Sequence, residues 1–163
     1  MNKKLKKILL VLLVLFIIIQ VFRPEKNRSA RLSVNDISSK YNVPDDVRNI
    51  LKVSCNDCHS NNTAYPWYAE IQPIAWWLSN HVNEGKKELD FSEFAAYPIR
   101  RQYKKLEEIN EQVKQNEMPL KSYVMLHQDA KLTDQQKVLI ANWVTSLRDN
   151  FKASYPPDSL TKK

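Results

Sequence analysis

An all-α fold is predicted, and three observations predict it. Glycine occurs once in 163 residues, at Gly85. No segment sustains the two-residue alternation of apolar and polar side chains that a half-buried strand needs. Apolar residues instead recur at helical spacing in successive stretches, the last opening with Thr133 and Gln136 in a capping-box arrangement. The length suits one domain.

The first element is apolar. Ile8 to Phe22 carries one polar residue, Gln20, and Lys3, Lys4, Lys6 and Lys7 precede it as in the n-region of an export signal. A small-residue cleavage site is missing, because Gln20-Val21-Phe22-Arg23-Pro24 follows. No cysteine lies nearby to take a lipid. Residues 1–22 are therefore expected to form an uncleaved signal anchor, a single transmembrane helix with its N-terminus in the cytoplasm. The apolar run is short of the ~20 residues that usually span a bilayer. Lys6 and Lys7 extend it by snorkelling. Residues 23–43 are polar and are expected to be a linker, with a short turn near Val34–Ile37.

Charge supports this division. The net charge is +7, from 25 basic and 18 acidic residues. Residues 1–31 contain Lys3, Lys4, Lys6, Lys7, Arg23, Lys26, Arg28 and Arg31 against Glu25 alone, so the whole excess flanks the apolar run. The remainder is balanced, which excludes a nucleic-acid role. The basic flanks suit anionic lipid headgroups.

The folded part is expected over residues 44–151. A first helix starts at Pro44, favoured by Asp45 and Asp46 at the positive end of its dipole. Val47, Ile50 and Leu51 form its stripe, which continues into Cys55 and Cys58. A second helix runs from Pro73 to about Glu84, with Ile74, Trp77, Leu78, His81 and Val82 on one face and Gly85 as its stop. A short helical turn begins at Ser92. A third helix spans Pro98 to Asn116, with Ile99, Tyr103, Leu106, Ile109 and Val113 inward. The last buries Leu139, Ile140, Trp143, Val144, Leu147 and Phe151. Tyr155-Pro156-Pro157 ends regular structure, and residues 152–163 are expected to be a flexible tail.

Chemistry concentrates at Cys55-Asn56-Asp57-Cys58-His59, which uses both cysteines of the chain. C-x-x-C-H is the attachment signature of a c-type haem. Thiols three residues apart share a helical face and reach two vinyl groups of one porphyrin, while the following imidazole sits under the iron. Two rivals stay open. One is a disulfide or thiol redox pair. The other is a zinc site, for which His81 and His127 are the distant ligand candidates.

A sixth iron ligand decides what such a haem does. Met118-Pro119 falls in a break between the third and last helices, where a thioether can approach from the side opposite His59. Met/His ligation raises the reduction potential and suits electron transfer. Met118 as a gap-filling core residue is the plain rival. Met125, His81 and His127 are further candidates. His81 is otherwise a hydrogen-bonded core residue or a propionate contact, and His127 a solvated one. With none of them bound, the iron is five-coordinate and open to small ligands or peroxide. Tyr65-Pro66-Trp67-Tyr68 and Trp76-Trp77 are candidates to wall the porphyrin or to bond its propionates.

From about Ile50 to Trp143 the chain resembles the bacterial haem-binding domain family, a c-type-cytochrome-like group. The resemblance rests on Cys55-Asn56-Asp57-Cys58-His59-Ser60, Tyr65-Pro66-Trp67-Tyr68, Ile71-Gln72-Pro73, Trp77-Leu78 and His81. It continues through Gly85, Met118-Pro119, Tyr123, His127 and Leu132-Thr133. It implies a cytochrome-c-like helical domain with one covalent haem c per chain and, by similarity to class I cytochromes, Met118 as distal ligand.

The expected protein is a monohaem electron carrier rather than an enzyme, anchored in a bacterial cell membrane. Covalent haem attachment in bacteria takes place outside the cytoplasm, so the domain is expected to face the periplasm or exterior. Its partners are the membrane and a redox donor or acceptor that the sequence does not name. A haem-based sensor or peroxidase-like enzyme with an open distal site is the other reading. Nothing resembles a hydrolytic triad, and one glycine leaves no phosphate-binding loop.

Overall fold

The computed structural model describes residues 2–161. Their regular structure is helical, with an isolated antiparallel bridge between Arg28 and Asn62 and no strand among them. The helices are α1 (Lys3–Ile19), α2 (Ile37–Lys40), α3 (Asp45–Ser54), α4 (Asn56–His59), α5 (Ile74–Glu88), α6 (Ile99–Lys114), α7 (Lys121–Leu126), α8 (Asp134–Ser154) and α9 (Pro157–Leu160). Short 3₁₀ turns occupy Trp67–Glu70, Phe91–Ala96 and Gln128–Ala130.

The core forms where α6 packs on α8 and α8 meets α3, with the 91–96 turn set against α2 and α4. Leu106, Ile109 and Val113 face Ile140, Val144 and Leu147, with Phe94 and Phe151 filling the remaining space. Each such side chain contributes about 1.5–3 kcal/mol by leaving water. The helix ends follow local chemistry. Thr133 accepts from the Gln136 N–H while the Gln136 side chain accepts from the Thr133 N–H, closing the expected capping box. Asp90 caps the 91–96 turn by accepting from the Ser92 N–H.

Several sequence expectations need correction. Residues 23–43 do not form a free linker. Ile37 and Val43 are core residues, 3% and 4% exposed, because their apolar side chains find the groove beside Phe94 and Val47. Asn27 donates to the Ser60 carbonyl and to Thr63 Oγ1, and Asn35 donates to Glu93, so this segment is sewn to the domain. Nor are residues 152–163 a loose tail as far as they are described. Pro157 opens α9, and Leu160 is buried at 5% exposure. Lys162 and Lys163 lie outside the described residues.

Gly85 does not stop the second helix; α5 runs on to Glu88. The predicted α5 stripe is only partly inward. Ala75 and Val82 are buried, whereas Ile74 and Trp77 are exposed. Finally, no helix among the described residues is long and apolar enough to cross a membrane. α1 has 17 residues, or about 26 Å at ~1.5 Å per residue, against a hydrocarbon core of about 30 Å.

Candidate functional site

The C-x-x-C-H run does not continue the preceding helix. α3 ends at Ser54, and Cys55 takes φ −131°, ψ −43°, which turns the chain before α4 begins. The Cys55 carbonyl accepts from the Cys58 and His59 N–H groups at 3.2 and 3.0 Å, closing one tight turn around the motif. Asp57 braces that turn from inside. Its Oδ1 accepts from the Ala64 N–H at 2.9 Å, and its Oδ2 accepts from the Tyr123 hydroxyl at 2.8 Å.

The turn lies directly on α5, and Gly85 is the reason it can. A Cβ at Gly85 would stand 2.6 Å from the Cys58 carbonyl oxygen, closer than van der Waals contact allows. The lone glycine is thus spent on a close approach inside a helix. That approach places the His59 ring against the end of α5. Its Nδ1 lies 3.0 Å from the Gly85 carbonyl and 2.9 Å from the Leu89 carbonyl. Both partners are acceptors, so Nδ1 carries the proton and Nε2 keeps its lone pair. Metal-binding histidines are oriented in this way. Phe91 meets the ring edge-on at 6.4 Å.

Two adjoining cavities open beside this imidazole. One, of about 290 Å³, runs from Leu51 and Phe91 to Ile109, Val113 and Ile140. The other, of about 370 Å³, runs from His81 and Gly85 to Pro119 and Tyr123. Cys55, His59, Glu88 and Met118 line both, so they form one divided cleft. Cys58 faces the second part. The structure therefore brings Cys55, Cys58, His59 and Met118 to one place.

Met118 arrives there through a helix end. The Glu117 N–H donates to Gln112 O at 3.0 Å and the Asn116 N–H to Val113 O at 3.2 Å, the paired bonds of a Schellman motif. Asn116 takes the left-handed conformation this needs, with φ 58°. The chain reverses at once, and Met118 faces the cleft half-buried.

Burial pushes the Cys55 thiol up to about 12, with Cys58 adding to the effect, and burial followed by Asp57 pushes Cys58 up to about 11. Thiol exchange and zinc binding both use the thiolate. Desolvated thiols held this high disfavour exchange. No cluster of three or more His, Cys, Asp or Glu side chains able to hold a metal ion occurs among the described residues.

One end of the cleft is charged. Lys105, its side chain 14% exposed, donates to Glu108 at 2.6 Å and to Glu88 at 3.4 Å. Burial raises the Glu108 carboxyl, but hydrogen bonds from Lys105 and Lys104 outweigh it and leave it below its ordinary value.

A match spanning most of the chain names the cofactor: the family described as haem-binding domain matches residues 14–146. The chain belongs to the haem-binding domain family. Among curated proteins and solved structures nothing matches.

This haem-binding domain fits its cofactor. The cleft is walled by Leu51, Phe91, Ile109 and Ile140, and the two cavities are of the size that ligand pockets usually have, about 300–1,000 Å³. A free imidazole nitrogen stands at its wall.

Of the other sequence candidates, His81 also lines the cleft and the rest do not. His81 lines the second cavity, half-buried rather than core, with Nδ1 donating to the Trp77 carbonyl at 2.9 Å. His127 lines neither cavity. Its Nε2 meets the Tyr68 hydroxyl at 2.8 Å, and its ring stacks on Tyr123 at 4.5 Å. Met125 is 70% exposed and lines neither part of the cleft. Tyr65, Trp67, Tyr68, Trp76 and Trp77 do not wall the cleft. Tyr65 accepts from the Asn27 N–H, and Trp76 donates to the Phe22 carbonyl, so both bind the N-terminal segment.

Sequence reasoning missed the brace from Tyr123 to Asp57 and the charged end at Glu88, Lys105 and Glu108. For Gly85, the good helix formers Lys86-Lys87-Glu88 that follow it were the available signal.

Proposed function

We propose that this haem-binding domain is a membrane-anchored monohaem protein of c type that carries electrons. Cys55 and Cys58 hold the porphyrin by thioether bonds, His59 supplies the proximal nitrogen, and Met118 supplies the distal sulfur. The observation that carries this reading is the His59 ring. Two backbone carbonyls hold its Nδ1–H, and the ring lines the same cleft as Met118. When bound, the haem supplies the one-electron chemistry. The chain's own residues fix the ligand geometry, exclude water with Leu51, Phe91 and Ile140, and place carboxylates and Lys105 at one edge.

Anchoring is part of the proposal. α1 presents an apolar surface that nothing among the described residues covers, and lysines crowd its start. With covalent haem, the domain belongs on the outer side of a bacterial cytoplasmic membrane, exchanging electrons with a membrane-bound or soluble redox partner.

Met118→Ala tests the ligand assignment. The expected result is an altered ferric spectrum and new carbon monoxide binding by the ferrous protein. If the spectrum is unchanged and the parent protein already binds carbon monoxide, the distal position is open, and a sensor or peroxidase-like role replaces electron transfer.

A further inference from the structure

Three of the four tryptophans are exposed. Trp67 is 77%, Trp76 41% and Trp77 46% accessible, whereas Trp143 is buried. Large indoles in water are costly unless something covers them. These three sit on two neighbouring elements, the 67–70 turn and the start of α5, and those elements grip the foot of α1.

The grip is specific. Gln72 is completely buried. Its N–H donates to Gln20 Oε1 at 2.9 Å, its carbonyl accepts from Gln20 Nε2 at 3.3 Å, and its Nε2 donates to the Phe22 carbonyl at 2.8 Å. The Trp76 indole N–H donates to the same carbonyl at 2.9 Å. Glu70 pairs with both Arg23 and Lys26. A loosely tethered helix has no use for such contacts.

The foot itself is apolar and open, with Val21 79% and Phe22 62% exposed. α1 alone is a few ångströms short of a bilayer core, and a short apolar segment draws its flanking residues into the interface. Tryptophan is the side chain enriched at that depth, with an apolar body and a polar tip. Arg23, Lys26 and Arg28 beside it match anionic headgroups.

The geometry points to a lipid-facing surface on the haem domain itself. Val21, Phe22, Trp67 and Trp76 rest in the headgroup layer, and the Gln20–Gln72 clamp locks α1 to the domain, so the haem is held at a fixed attitude to the membrane. This rests on the proposed insertion of α1. Gly85, which carries the His59 carbonyl contact, lies about 16 Å along α5 from Ile74 at ~1.5 Å per residue. α5 is then a rigid spacer between bilayer and haem.

The test uses the full-length haem-loaded protein in vesicles of phosphatidylethanolamine and phosphatidylglycerol. A nitroxide is placed at Val21→Cys in one variant and at Trp67→Cys in another, both exposed sites. Relaxation by dissolved oxygen is compared with relaxation by a water-soluble nickel chelate. Insertion of α1 predicts loss of nickel relaxation at position 21. The lipid-facing surface predicts the same loss at position 67. Loss at 21 with full nickel relaxation at 67 overturns this surface and leaves the anchor standing. Full nickel relaxation at both, with no co-flotation, overturns the anchor as well. Adding Gln72→Ala to the position-67 variant is expected to restore nickel relaxation there without changing position 21. If it does not, the clamp is not what sets the attitude.

Discussion

The two walls of the cleft proposed for haem are built differently. The His59 wall is fixed from several directions. Two carbonyls hold the ring, Asp57 braces the turn, and Gly85 admits the turn to within contact of α5. The Met118 wall depends on a helix ending. A Schellman motif and the left-handed Asn116 deliver the side chain, which stays half-buried beside Pro119. The lesson is that the His59 side belongs to the packed body of the domain, whereas the Met118 side belongs to a surface loop. Changes on the first wall should therefore cost the fold, and changes on the second should cost mainly the redox properties.

The largest effect is expected at the contact between the walls of α4 and α5. In an ordinary helix interior, Gly→Ala gains up to about 1 kcal/mol. Gly85→Ala should instead destabilise by about 1–3 kcal/mol, because its Cβ meets the Cys58 carbonyl. Denaturant unfolding measures this, with a parallel drop in haem per polypeptide. Unchanged stability would show that α4 and α5 separate freely.

Met118→Ala should spare the far-ultraviolet circular dichroism and lower the midpoint potential by on the order of 0.1 V, a fraction of the roughly 0.8 V that axial ligands span. A variant that unfolds instead would place Met118 with the core and erase the contrast between the walls.

How much of this was legible in the sequence follows the same division. The core stripes of α6 and α8 were readable because each buried face repeats at helical spacing and each N-terminus carries its own signal. The C-x-x-C-H run stood out because its spacing has one dominant chemistry, and the structure brings Cys55, Cys58, His59 and Met118 to one cleft. Gly85 was misread because a glycine late in a helix looks like a stop, and only the neighbouring turn shows why a Cβ is forbidden. Residues 23–43 were misread because Ile37 and Val43 are isolated apolar residues in a polar run, with no period to betray burial. The aromatic cluster, a candidate either for the haem wall or for an ordinary core, does neither at its polar tips, which bond the N-terminal segment and His127.

Tyr123 joins the two walls, since it lines the cleft and donates to Asp57. Burial, then its bond to Asp57, raise its hydroxyl far above the ordinary 10.0. The folded state then binds more protons than the unfolded chain once pH passes about 10. This contribution is complete below that pH and falls away as pH rises beyond it. Tyr123→Phe should cost about 1 kcal/mol near neutrality and flatten the alkaline loss. Melting curves between neutral and alkaline pH check both.

The smallest effect is expected at Glu93, whose carboxylate accepts from Asn35 and Asn61. The Asn35 bond chiefly holds it below its ordinary 4.5. Its contribution is present above pH 4.5 and is lost as pH falls through the lowered value. Glu93→Gln should change stability by at most about 0.5 kcal/mol near neutrality and soften the acid transition.

The central claim is one haem fixed through Cys55 and Cys58 with His59 beneath the iron. Its most direct test is the intact mass of exported protein, made with a cytochrome maturation system and extracted with acidified acetone. The expected product is a polypeptide heavier by one haem that keeps its colour in the pellet, with loss of that added mass when both cysteines become alanine. A pellet of unmodified mass, with all haem in the acetone, would contradict it.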